Sequence, residues 1–131
     1  MKSEGRIQYG EIYPHTIQTL VLPKDKKYNA VWIQFVAMYI SDGQFVDLLT
    51  MLRQHLLPDG VIFIKENLVK DGDTVKIEGE FDGAQDLSLV RSANCFKYIF
   101  QKASYEFTTF DTWTPSEQDY SILTACIKPV A

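Results

Sequence analysis

Residues 29–36 read Asn-Ala-Val-Trp-Ile-Gln-Phe-Val, and residues 61–64 read Val-Ile-Phe-Ile. Nearly continuous apolar runs of this length suit strands buried on both faces of a parallel sheet. Between them, Ser41-Asp42-Gly43-Gln44 supplies a capping box, with Ser at the N-cap and Gln three residues later. Phe45, Leu48, Leu49, Leu52 and Leu56 follow at helical spacing and predict an amphipathic helix over 44–57. Pro58-Asp59-Gly60 then offers turn chemistry. Strand, helix and strand within about 36 residues is a βαβ crossover, which calls for parallel strands and a right-handed connection. The fold class that follows is α/β.

Other segments are read around this unit. Thr16 to Leu22 is expected to form a short strand, bounded by Pro14 and Pro23. The stretch 70–83 is rich in Asp, Glu and Gly and reads as a long loop at the carboxyl end of a strand, where function often resides. Leu89, Ala93, Phe96 and Phe100 predict a helix over 84–102. Tyr105 to Trp113 and Asp119 to Lys128, separated by Pro115-Ser116, predict an antiparallel hairpin.

With 131 residues the chain is long enough for a single domain with a real core, and 46% hydrophobic residues exclude a disordered chain. No apolar run reaches the length of a membrane span, and Met1 to Arg6 lead into no signal-peptide core. The expectation is a soluble protein of the cytoplasm or nucleus with no membrane partner. Cys95 and Cys126 are then expected to be buried thiols. A net charge of −4 does not suggest nucleic-acid binding. His15 and His55 lack metal-ligand spacing, so no metal site is expected. His55 is assigned to the polar face of its helix.

Most side chains have a plain structural reading. Trp32, Ile33 and Val36 are expected in the core, and Phe35 suits core or site equally. Gln34 stands out, because an amide inside an apolar strand needs partners. Asn67 suits a turn after a strand, and the acidic run suits a solvated loop.

Trp32-Ile33-Gln34-Phe35-Val36, Ser41-Asp42 and Leu57-Pro58-Asp59-Gly60-Val61-Ile62-Phe63-Ile64-Lys65-Glu66-Asn67 together resemble the pattern of the alpha-N-terminal protein methyltransferases. The resemblance implies a Rossmann-like class I methyltransferase sheet, of which this chain holds strands 3/4 to 7. It implies S-adenosylmethionine as cofactor and the N-terminal tail of a protein, Xaa-Pro-Lys or Xaa-Pro-Arg, as substrate. It places Gln18 and Gln34 near the cofactor. Phe35, Asn67 and Tyr120 fall on substrate-contacting positions, with Phe35 where a tryptophan is usual. Tyr39 stands where a catalytic histidine is usual, and Glu80 or Asp82 where an acid lies near the reacting amine. The chemistry is consistent: in-line methyl transfer needs a positioned neutral amine, and one carboxylate suffices to accept its proton.

A glycine-rich turn after a first strand, and an acid after a second, normally hold such a cofactor. The sequence has no G-x-G motif, and only about ten residues precede the first candidate strand. The first two strands are therefore expected to be absent, leaving a truncated domain over 1–131. In the family's sheet order, 3-2-1-4-5-7-6, the strand at 29–36 would lose its neighbour and become an edge that a partner chain could cover. Three readings follow: a fragment with weak or no activity alone, a degenerate binding or regulatory module, or a substrate-binding half serving a partner.

Overall fold

The computed structural model describes residues 10–69, 76–78, 88–115 and 120–131, with the backbone alone at 76–78 and Tyr120. Its elements are β1 (Tyr28–Gln34), a single 3-10 turn (Ala37–Tyr39), α1 (Asp42–Arg53), β2 (Leu56–Val69), β3 (Lys76–Glu78), β4 (Ser88–Val90), α2 (Ala93–Lys102), β5 (Tyr105–Trp113) and β6 (Tyr120–Pro129). Four strands form one sheet in the order β1-β2-β6-β5, and β3 pairs with β4 separately. β1 and β2 run parallel, and β6 is antiparallel to both β2 and β5. The α/β class, the parallel pair and the closing hairpin are as expected, and β1 is an edge among the described residues.

Local chemistry explains the helix starts. The Ser41 hydroxyl accepts from the Gln44 N–H while the Gln44 amide oxygen accepts from the Ser41 N–H, the complete capping box. Ser92 caps α2 by accepting from the Cys95 N–H. Both helices pack on one sheet face. Phe45 of α1 meets Phe96 and Phe100 of α2 edge-on, with ring centroids 6.4 and 6.5 Å apart. Beneath them lie Ile33, Ile62, Ile64, Leu123, Ala125 and Ile127.

Several expectations are corrected. Thr16 to Leu22 is not a strand; Thr19 N–H donates to Thr16 O, closing a turn, while Ile17 and Leu22 pack on the core from outside the sheet. Pro58-Asp59-Gly60 does not separate helix from strand. These residues lie inside β2, in an irregularity where two steps of β1, Tyr28 to Ala30, span Leu56 to Val61. β2 also continues past Ile64 to Val69, because β6 pairs with it over that whole length. The helix expected from 84 begins only at Ala93. Ser88–Val90 is a strand instead, since β3 supplies it with a ladder partner. Within the acidic stretch, Lys76–Glu78 forms that partner strand, and its remaining residues lie outside those described.

Burial also departs from the apolar pattern. Trp32 is 63% exposed and Val36 39%, and only Ile33 of that trio is in the core. The reason is that helices cover a single face, so β1 buries alternate residues only. His55 is not on a polar helix face. It follows the end of α1, is 6% exposed, and shares a hydrogen bond with Lys26 O through Nδ1 at 2.9 Å. Cys95 and Cys126 are free and half-buried.

Candidate functional site

The strand register lays the outer sheet face out in rows. Trp32, Phe63, Cys126 and Thr109 stand side by side across four strands, and Gln34, Lys65, Thr124 and Asp111 form the next row. Asn67, Ile122 and Trp113 form a third, near the carboxyl end of β2. The outer row is aromatic where Trp32 meets Phe63, with ring centroids 5.5 Å apart.

Gln34 is therefore exposed on this face rather than buried in an apolar strand, and its side-chain oxygen accepts from the Trp32 indole N–H at 2.8 Å. Phe35, directly after β1, lies in the left-handed region, φ 52°. That conformation is strained for a side chain of this size and persists only where the surroundings impose it. Its backbone N–H donates to Lys65 O at 3.0 Å, and the Lys65 ammonium lies 5.8 Å from its ring centre. Asn67 is half-buried, two residues beyond Lys65 on the same strand face.

Gln18 and Tyr39 meet elsewhere, at the free edge of β1. The Gln18 amide donates to Tyr39 O at 3.5 Å. Both line a cleft of about 520 Å³ with Ile17, Val31, Ile33 and Leu48. The structure thus groups Gln34, Phe35 and Asn67 at the strand ends and Gln18 with Tyr39 in the edge cleft. Glu80 and Asp82 lie outside the described residues. Tyr120 is placed by its backbone only, opposite Val69 at the start of β6. Among the described residues no group of His, Cys, Asp or Glu could hold a metal ion.

Two buried charges organise the turn between β1 and α1, and motif reading passed over both. Glu66, 1% exposed, takes the Ala37 N–H at 3.1 Å and the Asn67 N–H at 3.2 Å. Burial pushes its carboxyl above the ordinary range, opposed by those backbone bonds and by the Arg91 charge. Arg91, 0% exposed, donates to Ala37 O at 2.8 Å, Ile40 O at 2.6 Å and Asp42 Oδ1 at 2.7 Å. A signal for Glu66 was present, because it shares the period-two phase of Ile62, Ile64 and Leu68. For Arg91 the helical spacing of Leu89, Ala93, Phe96 and Phe100 gives no such signal, because it predicts a helix where β4 ends.

Residues 2–114 match the AdoMet dependent proline di-methyltransferase family. The N-terminal Xaa-Pro-Lys N-methyltransferase 2 of Danio rerio is 31% identical over 91 residues, 70% of this chain and 30% of that protein. The alpha N-terminal protein methyltransferase 1 of Dictyostelium discoideum is 33% identical over 79 residues, 60% of this chain and 27% of that protein. This chain thus matches about a third of the length of these curated relatives or less. A SAM-dependent methyltransferase of Leishmania major superposes with a TM-score of 0.70 at 26% identity, covering 86% of this chain and 42% of that one. A glycopeptide N-methyltransferase, at 8% identity and a TM-score of 0.64, shares the fold alone. The four-stranded sheet with its closing hairpin is part of a class I methyltransferase sheet, and the chain belongs to the AdoMet dependent proline di-methyltransferase family.

Proposed function

We propose that this chain is the substrate-facing part of an S-adenosylmethionine-dependent protein N-terminal methyltransferase, acting on Xaa-Pro-Lys or Xaa-Pro-Arg tails and weak or inactive alone. The observation that carries the reading is the grouping of Gln34, Phe35 and Asn67 where β1 and β2 reach their carboxyl ends. Open α/β sheets bind ligands at such ends. Phe35 offers a ring for a proline, and Asn67 an amide that can orient a terminal amine without adding charge. Glu80 or Asp82 remains the proposed proton acceptor, and Tyr120 a proposed substrate contact.

The residues present fit only part of the cofactor. The edge cleft offers Gln18 and an apolar wall suited to a flat ring, but no described carboxylate lines it to hold ribose hydroxyls. Gln34 already holds the Trp32 indole. The remaining contacts would come from residues covering that edge of β1, whether of the same protein or of a partner. The proposed setting is cytoplasm or nucleus.

Calorimetric titration of the purified chain with S-adenosylmethionine tests this. Binding no tighter than about millimolar is expected, because most anchoring groups are missing. Micromolar binding would overturn the reading. The second reading, a degenerate binding module, is favoured by Phe35 and Tyr39 standing where tryptophan and histidine are usual. It requires micromolar binding of an Xaa-Pro-Lys peptide with no methyl transfer after a cofactor-binding half is supplied.

A further inference from the structure

A buried carboxylate is costly unless donors fill its lone pairs. Glu66 lies on the core face of β2 between Ile64 and Leu68, where an apolar side chain would continue the pattern. The carboxylate adds a link between elements. Oε1 accepts from the N–H of Asn67 on β2, while Oε2 accepts from the N–H of Ala37 in the turn after β1. From the other side, Arg91 fills the carbonyls of Ala37 and Ile40 and reaches Asp42 at the start of α1. A single 3-10 turn satisfies few of its own backbone groups, and these two side chains supply partners that water cannot reach to provide. Two residues before the turn stands Phe35 with its positive φ, and at its end stands Tyr39.

We infer that Glu66 and Arg91 are positioning residues that lock the Phe35–Tyr39 segment to the strand carrying Asn67, so that these two parts of the candidate site move as one body. The inference rests on the proposed roles of Phe35 and Asn67 in substrate binding and of Tyr39 in catalysis; the linkage itself does not. The charged and titratable groups around the clamp are Arg91 between β4 and α2, Asp42 of α1, and Cys95 of α2, whose thiol contacts Asp42 at 3.7 Å. Protonating Glu66 weakens it as an acceptor for the Ala37 and Asn67 amides at once.

Amide NMR on this chain, with and without Glu66→Gln, tests the linkage. In the unsubstituted chain the N–H signals of Ala37 and Asn67 should shift with pH on one shared midpoint. Glu66→Gln should abolish that shared titration and speed hydrogen exchange at these two amides by about tenfold or more, while Ile64 and Ala125 keep their rates. Separate midpoints overturn the inference. So does a loss of protection spread evenly over the sheet, which a merely structural carboxylate would give. If Glu66→Gln fails to fold, the titration of the unsubstituted chain decides alone. No step needs methyl transfer, so a chain that binds neither cofactor nor peptide still tests the clamp.

Discussion

Glu66 and Arg91 grip the two ends of one residue: the carboxylate of Glu66 takes the N–H of Ala37 at 3.1 Å, and the guanidinium of Arg91 donates to its carbonyl at 2.8 Å. Both side chains are wholly enclosed. Replacing Arg91 by Met keeps apolar volume but strips donors from two buried carbonyls. The expected cost is about 3 kcal/mol, measured by urea unfolding. A loss below about 1 kcal/mol would show that water or side-chain rearrangement replaces the fork.

The raised Glu66 carboxyl gives a signed pH dependence. Its folded-state value lies above the ordinary 4.5 because burial disfavours the charge. Its contribution to stability is therefore fully present below the ordinary value and is lost as pH rises through the raised one. As pH rises above the ordinary carboxylate range the unsubstituted chain should lose stability relative to Glu66→Gln, in unfolding curves taken at matched ionic strength. The opposite slope would mean that the backbone donors outweigh desolvation.

Gly60 sits in the irregular start of β2 for a steric reason. A Cβ there would lie 2.9 Å from Leu57 O, 3.0 Å from the Leu56 Cβ and 3.0 Å from Tyr28 O. Two of these are backbone atoms and cannot swing aside. Gly60→Ala should destabilise the chain by about 1–3 kcal/mol. An unchanged melting temperature would mean that the 56–61 irregularity is soft.

Ser104 is the reverse case. It follows α2 with φ 62°, in the position where helices favour glycine, and its side chain is exposed. Ser104→Gly should stabilise by about 0.5–1 kcal/mol and raise the melting temperature by a few degrees. A lower melting temperature would show that the unfolded-state entropy of glycine exceeds the strain relieved.

Asn67→Ala, in this chain joined to a cofactor-binding half, should lower methylation of an Xaa-Pro-Lys peptide by about 100-fold while leaving the melting temperature within about two degrees. Unchanged turnover would remove Asn67 from the site.

The sequence by itself determined the βαβ unit, the capped start of α1 and the closing hairpin, because hydrophobic periodicity, capping boxes and β-branched runs act over a few residues. It also carried the family, through the joined motifs around Trp32-Ile33-Gln34 and Ile64-Lys65-Glu66-Asn67. Tertiary structure decided which face each residue takes. Trp32 and Gln34 turned outward because helices cover one side of the sheet. Glu66 turned inward because its strand phase left it there, and it is tolerated there because Ala37 and Asn67 offer donors and the Arg91 charge lies near. Ser88–Val90 became a strand because β3 was beside it, against a helical spacing that began only at Ala93. Phe35 accepted a positive φ because Lys65 on one side and the clamped Ala37 on the other fix the chain around it. Apart from the period-two phase of Glu66, each outcome depends on groups brought together from distant parts of the chain, which no local pattern encodes.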